Sequence, residues 1–155
     1  MRPTIKRLIP VLAVTAVAAG FAAYALATPP SGQHPTVPAV GTLAHATHIN
    51  TDRLKFQTKQ PADVATFSVT YDPNGFSGWH THPGIVFVVV QSGSVVRQVG
   101  CESHAYNAGD SFIESDAQPA GQVTNPSSTT PAVLTVMQVV PHGSARRVEA
   151  DPPDC

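Results

Sequence analysis

Charge is scarce in this chain. Asp, Glu, Lys and Arg make up 12% of its 155 residues, where an ordinary globular chain carries about 25%. Nine basic residues against ten acidic ones leave a formal charge of −1. That balance excludes the basic stripe of a nucleic-acid-binding domain and a polybasic membrane-surface module. Helical periodicity is missing too: beyond residue 27 no segment repeats its apolar residues every 3.6 positions. Fifteen prolines and eleven glycines break the chain into short pieces, which excludes a helical bundle or coiled coil. No G-x-S-x-G, G-x-G-x-x-G, P-loop or H-E-x-x-H is present. Asn125-Pro126-Ser127 has proline in the middle of the glycosylation triplet and is no acceptor. The length allows one domain.

What is present begins with a leader. Arg2, Lys6 and Arg7 form a positive start, Leu8 to Ala27 carries no charge, and Ala25-Leu26-Ala27 supplies an A-x-A cleavage signature before Thr28-Pro29-Pro30. Residues 1–27 therefore read as a signal peptide, with an uncleaved membrane anchor as the alternative. Either reading places the rest outside the cytoplasm, secreted or tethered to the outer face of the membrane. Cys101 and Cys155 are the only cysteines, and in an oxidising compartment they are expected to pair. A nucleophilic Cys101 is the alternative, with only His104 close by in sequence to activate it.

Residues 28–40 hold four prolines and no apolar period, the composition of a linker. The sequence predicts a domain over 41–150 and a tail over 151–155. Ala65, Phe67, Val69 and Tyr71 alternate with Thr66, Ser68 and Thr70 as in a half-buried strand. Asp72-Pro73-Asn74-Gly75 reads as a turn. Ile85–Val90 is a β-branched run expected to be buried on both faces. Gln91-Ser92-Gly93 turns it into Ser94–Val99, and Ser111–Glu114 and Ala132–Val140 follow as further strands. Seven or eight such strands predict an all-β antiparallel sandwich or small barrel.

The segment richest in chemistry is Gly78-Trp79-His80-Thr81-His82-Pro83-Gly84. Residues i and i+2 of a strand share a face, so His80 and His82 project together and can hold one divalent metal ion. A hydrogen-bonded histidine pair without metal is the other reading. Trp79 points the opposite way and reads as a packing anchor. His34, His45 and His48 read as solvated. Glu114 and Asp116, with Gln118 and Gln122, are nearby oxygen donors; the two carboxylates read as exposed loop residues. By residue type alone they would also suit a glycosidase pair.

This stretch resembles the cupin family, whose first motif reads G-x5-H-x-H-x3,4-E-x6-G. His80 and His82 match its histidines and Gly93 its closing glycine, while Val86 stands where the motif has glutamate. Gly109 and Asn125 match the ends of the second motif, and Gly121 stands at its histidine position. The chain is similar to small secreted actinobacterial cupins with a GWH-x-HPG segment, a mid-chain cysteine and another near the C-terminus. The resemblance spans about residues 60–141 and implies a jelly-roll barrel. It delivers two of the family's usual four ligands.

The expected function is an exported binding protein that takes a small molecule in the barrel. A weakly held divalent metal (Fe, Mn, Ni or Zn) would sit at His80 and His82. The alternative is a metal-dependent, dioxygenase-like oxidoreductase with a reduced ligand set, and a third reading is a tethered envelope domain that only presents a surface. Cupins often pair through strand edges, which makes a homodimer a further expectation. No nucleic acid is expected as a partner, and the membrane would be met only through residues 1–27.

Overall fold

The structure, a computed structural model, describes residues 28–155; the leader read over 1–27 lies outside the described residues. These contain thirteen β-strands and no helix: β1 Ser31–Pro35, β2 Ala39–Leu43, β3 His48–Asn50, β4 Lys55–Gln57, β5 Ala62–Phe76, β6 His80–Thr81, β7 Ile85–Ser92, β8 Ser94–Val99, β9 Glu102–Asn107, β10 Ser111–Ser115, β11 Gly121–Thr124, β12 Ala132–Pro141 and β13 Val148–Glu149. All pairings are antiparallel. One wall runs β10-β7-β12-β5, with β1 and β2 laid along the far side of β5. The other wall is β9-β8-β11-β6-β13. The two meet where Thr124 pairs with Phe76, giving a nearly closed all-β barrel. β3 and β4 form a separate hairpin.

The register of the first wall sets out its inner face in rows. Glu114, Val86, Gln138 and Ala65 stand side by side, followed by Phe112, Val88, Val136 and Phe67. Val90, Leu134 and Val69 form the next row, and Ala132 with Tyr71 the last. Each step is two residues, about 7 Å along the strands. Alternation in β7 and β12 puts one set of side chains inside: Val86, Val88, Val90, Leu134 and Val136 are all buried.

Several expectations from the sequence need correction. β7 is buried on one face only: Ile85 and Val89 are 40% and 46% exposed, because the second wall covers only the barrel's inner side. The Asp72–Gly75 turn is instead the continuation of β5. Asn74 takes a left-handed φ of 60°, and the pairing slips opposite Ser31–Gln33, so the turn-forming residues make a bulge. Asn125 holds this bend from within, its amide facing the carbonyls of Tyr71, Asp72 and Thr130. Residues 28–40, read as a free linker, carry β1 and the start of β2 and lie against β5. Proline is compatible with this because β1 is paired on one side only.

Candidate functional site

His80 and Thr81 form the short β6, whose neighbours are β11 and β13. Both histidines are buried, each 7% exposed, and their rings meet edge to face with centroids 4.8 Å apart. Ahead of them Gly78 takes a φ of 69°, a conformation that favours glycine. The bend presents the Gly78 carbonyl to His80 Nδ1 at 2.9 Å. The Arg146 carbonyl stands 2.6 Å from His82 Nδ1. A carbonyl can only accept, so each Nδ1 carries the hydrogen and each neutral ring keeps its lone pair on Nε2.

Glu114 completes the cluster. Read from sequence as an exposed loop carboxylate, it is a buried strand residue, 8% exposed, paired across β10 and β7 with Val86. Its Oε2 lies 3.2 Å from His82 Nε2, and its Oε1 lies 3.3 Å from Arg97 Nε. Arg97 is itself held by Gln118 Oε1 at 2.8 Å and lies over the Phe112 ring. One carboxylate oxygen is thus engaged by a cation and the other faces the imidazoles. One ligating atom from each of His80, His82 and Glu114 falls within 4.8 Å of the others.

The electrostatics follow from burial. Burial lowers the affinity of His80 for a proton below that of free imidazole; Glu114 opposes this and loses, with Arg147 adding to the depression. For Glu114 burial acts upward, but the His82 ring beside it, with His80 and Arg97 close by, outweighs this and holds the carboxyl below its ordinary range. The cluster therefore offers an ionised carboxylate beside an imidazole biased toward its neutral form. Those are the protonation states that a divalent metal requires. Two ligands about 2.0–2.1 Å from a tetrahedral metal stand about 3.3 Å apart, and the His82–Glu114 edge matches this. The residues present fit a divalent ion.

The other donors weighed in the sequence lie elsewhere in role or position. Asp116 is exposed in the turn after β10, which separates it from Glu114 and removes the carboxylate pair. Gln122 bonds Thr124. Gly121 sits directly across from His80, so the family's histidine position faces the cluster without a side chain. Trp79 is buried. His34, His45 and His48 are exposed, and His34 lies 2.8 Å from Asp72. The Cys101–Cys155 disulfide is formed, which fits an oxidising compartment.

The cluster opens on a cavity of about 580 Å³ inside the barrel. Its walls are the apolar rows of β7, β10, β12 and β5, together with Val123 of β11. Tyr71 also lines it. Its hydroxyl accepts a hydrogen bond from Gln33 Nε2 at 2.7 Å, and burial, reinforced by Glu114, keeps the phenol protonated. Gln33, Pro35, Thr36 and Pro38 of the N-terminal arm line one side, and Ser144–Arg147 the other. Gln138, in the row of Glu114, is 4% exposed, and its Oε1 has no hydrogen-bond partner among the described residues.

Comparison with known proteins agrees with this architecture. Residues 67–138 match the family model described as Cupin domain. A cupin-2 domain protein from Rhodospirillum rubrum superposes with a TM-score of 0.52 at 13% identity, covering 83% of this chain and 74% of that one. An uncharacterised conserved protein with a double-stranded β-helix domain from Klebsiella pneumoniae gives a TM-score of 0.49 at 20% identity, covering 57% of this chain and 75% of that one. These are likenesses of fold. No curated protein matches the sequence.

Proposed function

This chain belongs to the cupin superfamily, and from that premise we propose that it is an exported protein that binds a small molecule at a divalent metal ion held by His80, His82 and Glu114. The observation that carries the reading is the orientation of the two rings. Each Nδ1 is committed to a backbone carbonyl, which leaves Nε2 as the ligand atom, and a buried carboxylate oxygen stands beside them. Arg97 offsets the charge of Glu114 so that it stays ionised when buried. The metal, when bound, supplies a Lewis-acid centre for an oxygen-bearing ligand. The protein's residues orient the imidazoles, disfavour a second proton on His80, and enclose the ligand in the barrel cavity. Export is supported by the composition of residues 1–27 and by a disulfide that suits an oxidising compartment.

The test is metal analysis of the purified full-length chain after loading with Fe, Mn, Ni or Zn. One ion per chain is expected, lost in His80→Ala/His82→Ala and in Glu114→Gln. An unchanged metal content in those variants, or none in the parent, rejects the reading.

A second reading, a metal-dependent oxidoreductase, is favoured by the ligand set itself. Two imidazoles and one carboxylate leave coordination positions free, the pattern of non-haem Fe(II) oxygenases. It requires Fe(II)-dependent oxygen consumption with a bound organic substrate, and Fe(II) loading without any such uptake counts against it.

A further inference from the structure

Two surfaces far from the metal cluster's chemistry hold more apolar area in water than their position explains. One is the outer face of the β10-β7-β12 wall. The wet face of an antiparallel sheet is ordinarily polar, yet the outward positions of these three strands carry no charge. Ile113, Phe87 and Met137 stand side by side in one row, with Ile85 and Val89 in the rows on either hand. Ile113 is 50% exposed and Val89 46%. A contiguous apolar surface of this kind marks an interaction site. The other surface is the β3–β4 hairpin, whose strands pair only with each other among the described residues. A two-stranded hairpin is marginal in water unless something packs on it. Its register sets Ile49 opposite Phe56 on one face and leaves Asn50 and Lys55 to the other. Ile49 and Leu54, which follows at the turn, are 52% and 76% exposed.

We propose that the chain forms a two-fold dimer in which each copy lays the Ile49–Phe56 face and Leu54 of its hairpin over the Ile113–Phe87–Met137 row of the other. Charge selects a second copy as the occupant. Arg53, Lys55 and Lys59 are exposed around the hairpin's apolar face and form no ion pair among the described residues. Asp110 and Asp116, both exposed, bracket the strand that carries Ile113. A base-rimmed apolar knob and an acid-flanked apolar face on one molecule complement each other, and like charge does not oppose their contact. Reciprocal exchange about a two-fold axis covers both surfaces of both copies and leaves neither to recruit a third. An anionic lipid surface would match the hairpin's charge but leave the sheet face in water. Face-to-face packing of two sheets would leave the hairpin without cover.

Sedimentation velocity on the full-length chain over a range of concentrations tests the exchange. The parent is expected to form dimers that weaken as salt is raised. Leu54→Glu on the hairpin and Ile113→Lys on the sheet face should each weaken association by at least about tenfold, the scale of one buried aliphatic side chain. Val89→Lys serves for the face if Ile113→Lys fails to fold, with circular dichroism as the check. Mixing the hairpin variant with the face variant decides the geometry, because one intact hairpin then meets one intact face. The mixture should recover dimers that neither variant forms alone. A monomeric parent overturns the proposal, as do variants that associate like the parent, which would assign association to another surface or to residues 1–27. Loss in the face variant alone, or no recovery on mixing, overturns the exchange in favour of sheet-to-sheet packing. A monomeric parent that sediments with phosphatidylglycerol vesicles, and loses this in Leu54→Glu, assigns the hairpin to a lipid surface instead.

Discussion

Glu114 of β10 stands directly opposite Val86 of β7 in the antiparallel register. The carboxylate that the cupin motif would place on β7 is therefore delivered to the same inner row from the adjacent strand. Opposed residues in such a pair point to the same face, which is why a valine at one position and a glutamate at the other leave a carboxylate beside His82.

An exchange across that pair tests the arrangement. Glu114→Val alone should abolish metal binding and cost about 3–5 kcal/mol, because Arg97 is left buried without its partner. Combining it with Val86→Glu should restore metal binding. Isotherms for parent, single and double variants, with urea denaturation alongside, check both parts. A double variant no better than the single one would mean that the position in the row does not suffice.

Gly121→His should strengthen the site. Gly121 faces His80, and a Cβ there comes within 3.1 Å of the Gln98 carbonyl oxygen, a tight fit that requires a small shift. A third imidazole should tighten Zn²⁺ binding by about tenfold or more, with a loss of about 1–3 kcal/mol in stability from overpacking. Competition against a chromophoric chelator measures the first and thermal unfolding the second.

Stability without metal should depend on pH through His80. Its proton affinity in the fold lies below the unperturbed value of 6.5, chiefly because the ring is buried. As pH falls through about 6.5 the unfolded chain takes up a proton that the folded chain resists. Stability is thus present above 6.5 and declines on the acid side, until the folded form also titrates. Urea midpoints at pH 7.5 and 5.5 should separate in the parent and converge in His80→Ala. Equal separation in both proteins would assign the acid loss to other groups.

Breaking the disulfide should weaken both the fold and the metal site. Cys101 and Cys155 close a separation of 54 residues, worth about 4 kcal/mol in the chain-entropy model. The bridge also ties down the tail that follows β13, the strand next to Arg146, whose carbonyl fixes the His82 ring. Cys101→Ser/Cys155→Ser should lower the denaturation midpoint and reduce metal affinity severalfold. Loss of stability with unchanged affinity would show that Arg146 holds its place without the bridge.

The histidine pair was legible because alternation in a strand is local: His80 and His82 announce a common face with no knowledge of the rest of the fold. The long strands were legible for the same reason. Glu114 was not, because its neighbours mislead. Ile113, 50% exposed, looks like the inward residue and Glu114 like the outward one, and only pairing with β7, some thirty positions earlier, reverses that assignment. The N-terminal arm failed similarly. Its prolines describe a chain with few hydrogen-bond donors, which suits a one-sided edge strand as well as a linker, and the choice between them is made by β5.

The hydrogen bond from His82 to the Arg146 carbonyl spans 64 positions of sequence, and this orders events in time. A chain emerging vectorially presents both histidines and Glu114 before the residue that locks the second ring has been synthesised. Any metal captured by a correctly turned pair would therefore be captured after translation of that stretch, and an ion offered to the nascent polypeptide would meet imidazoles still free to rotate.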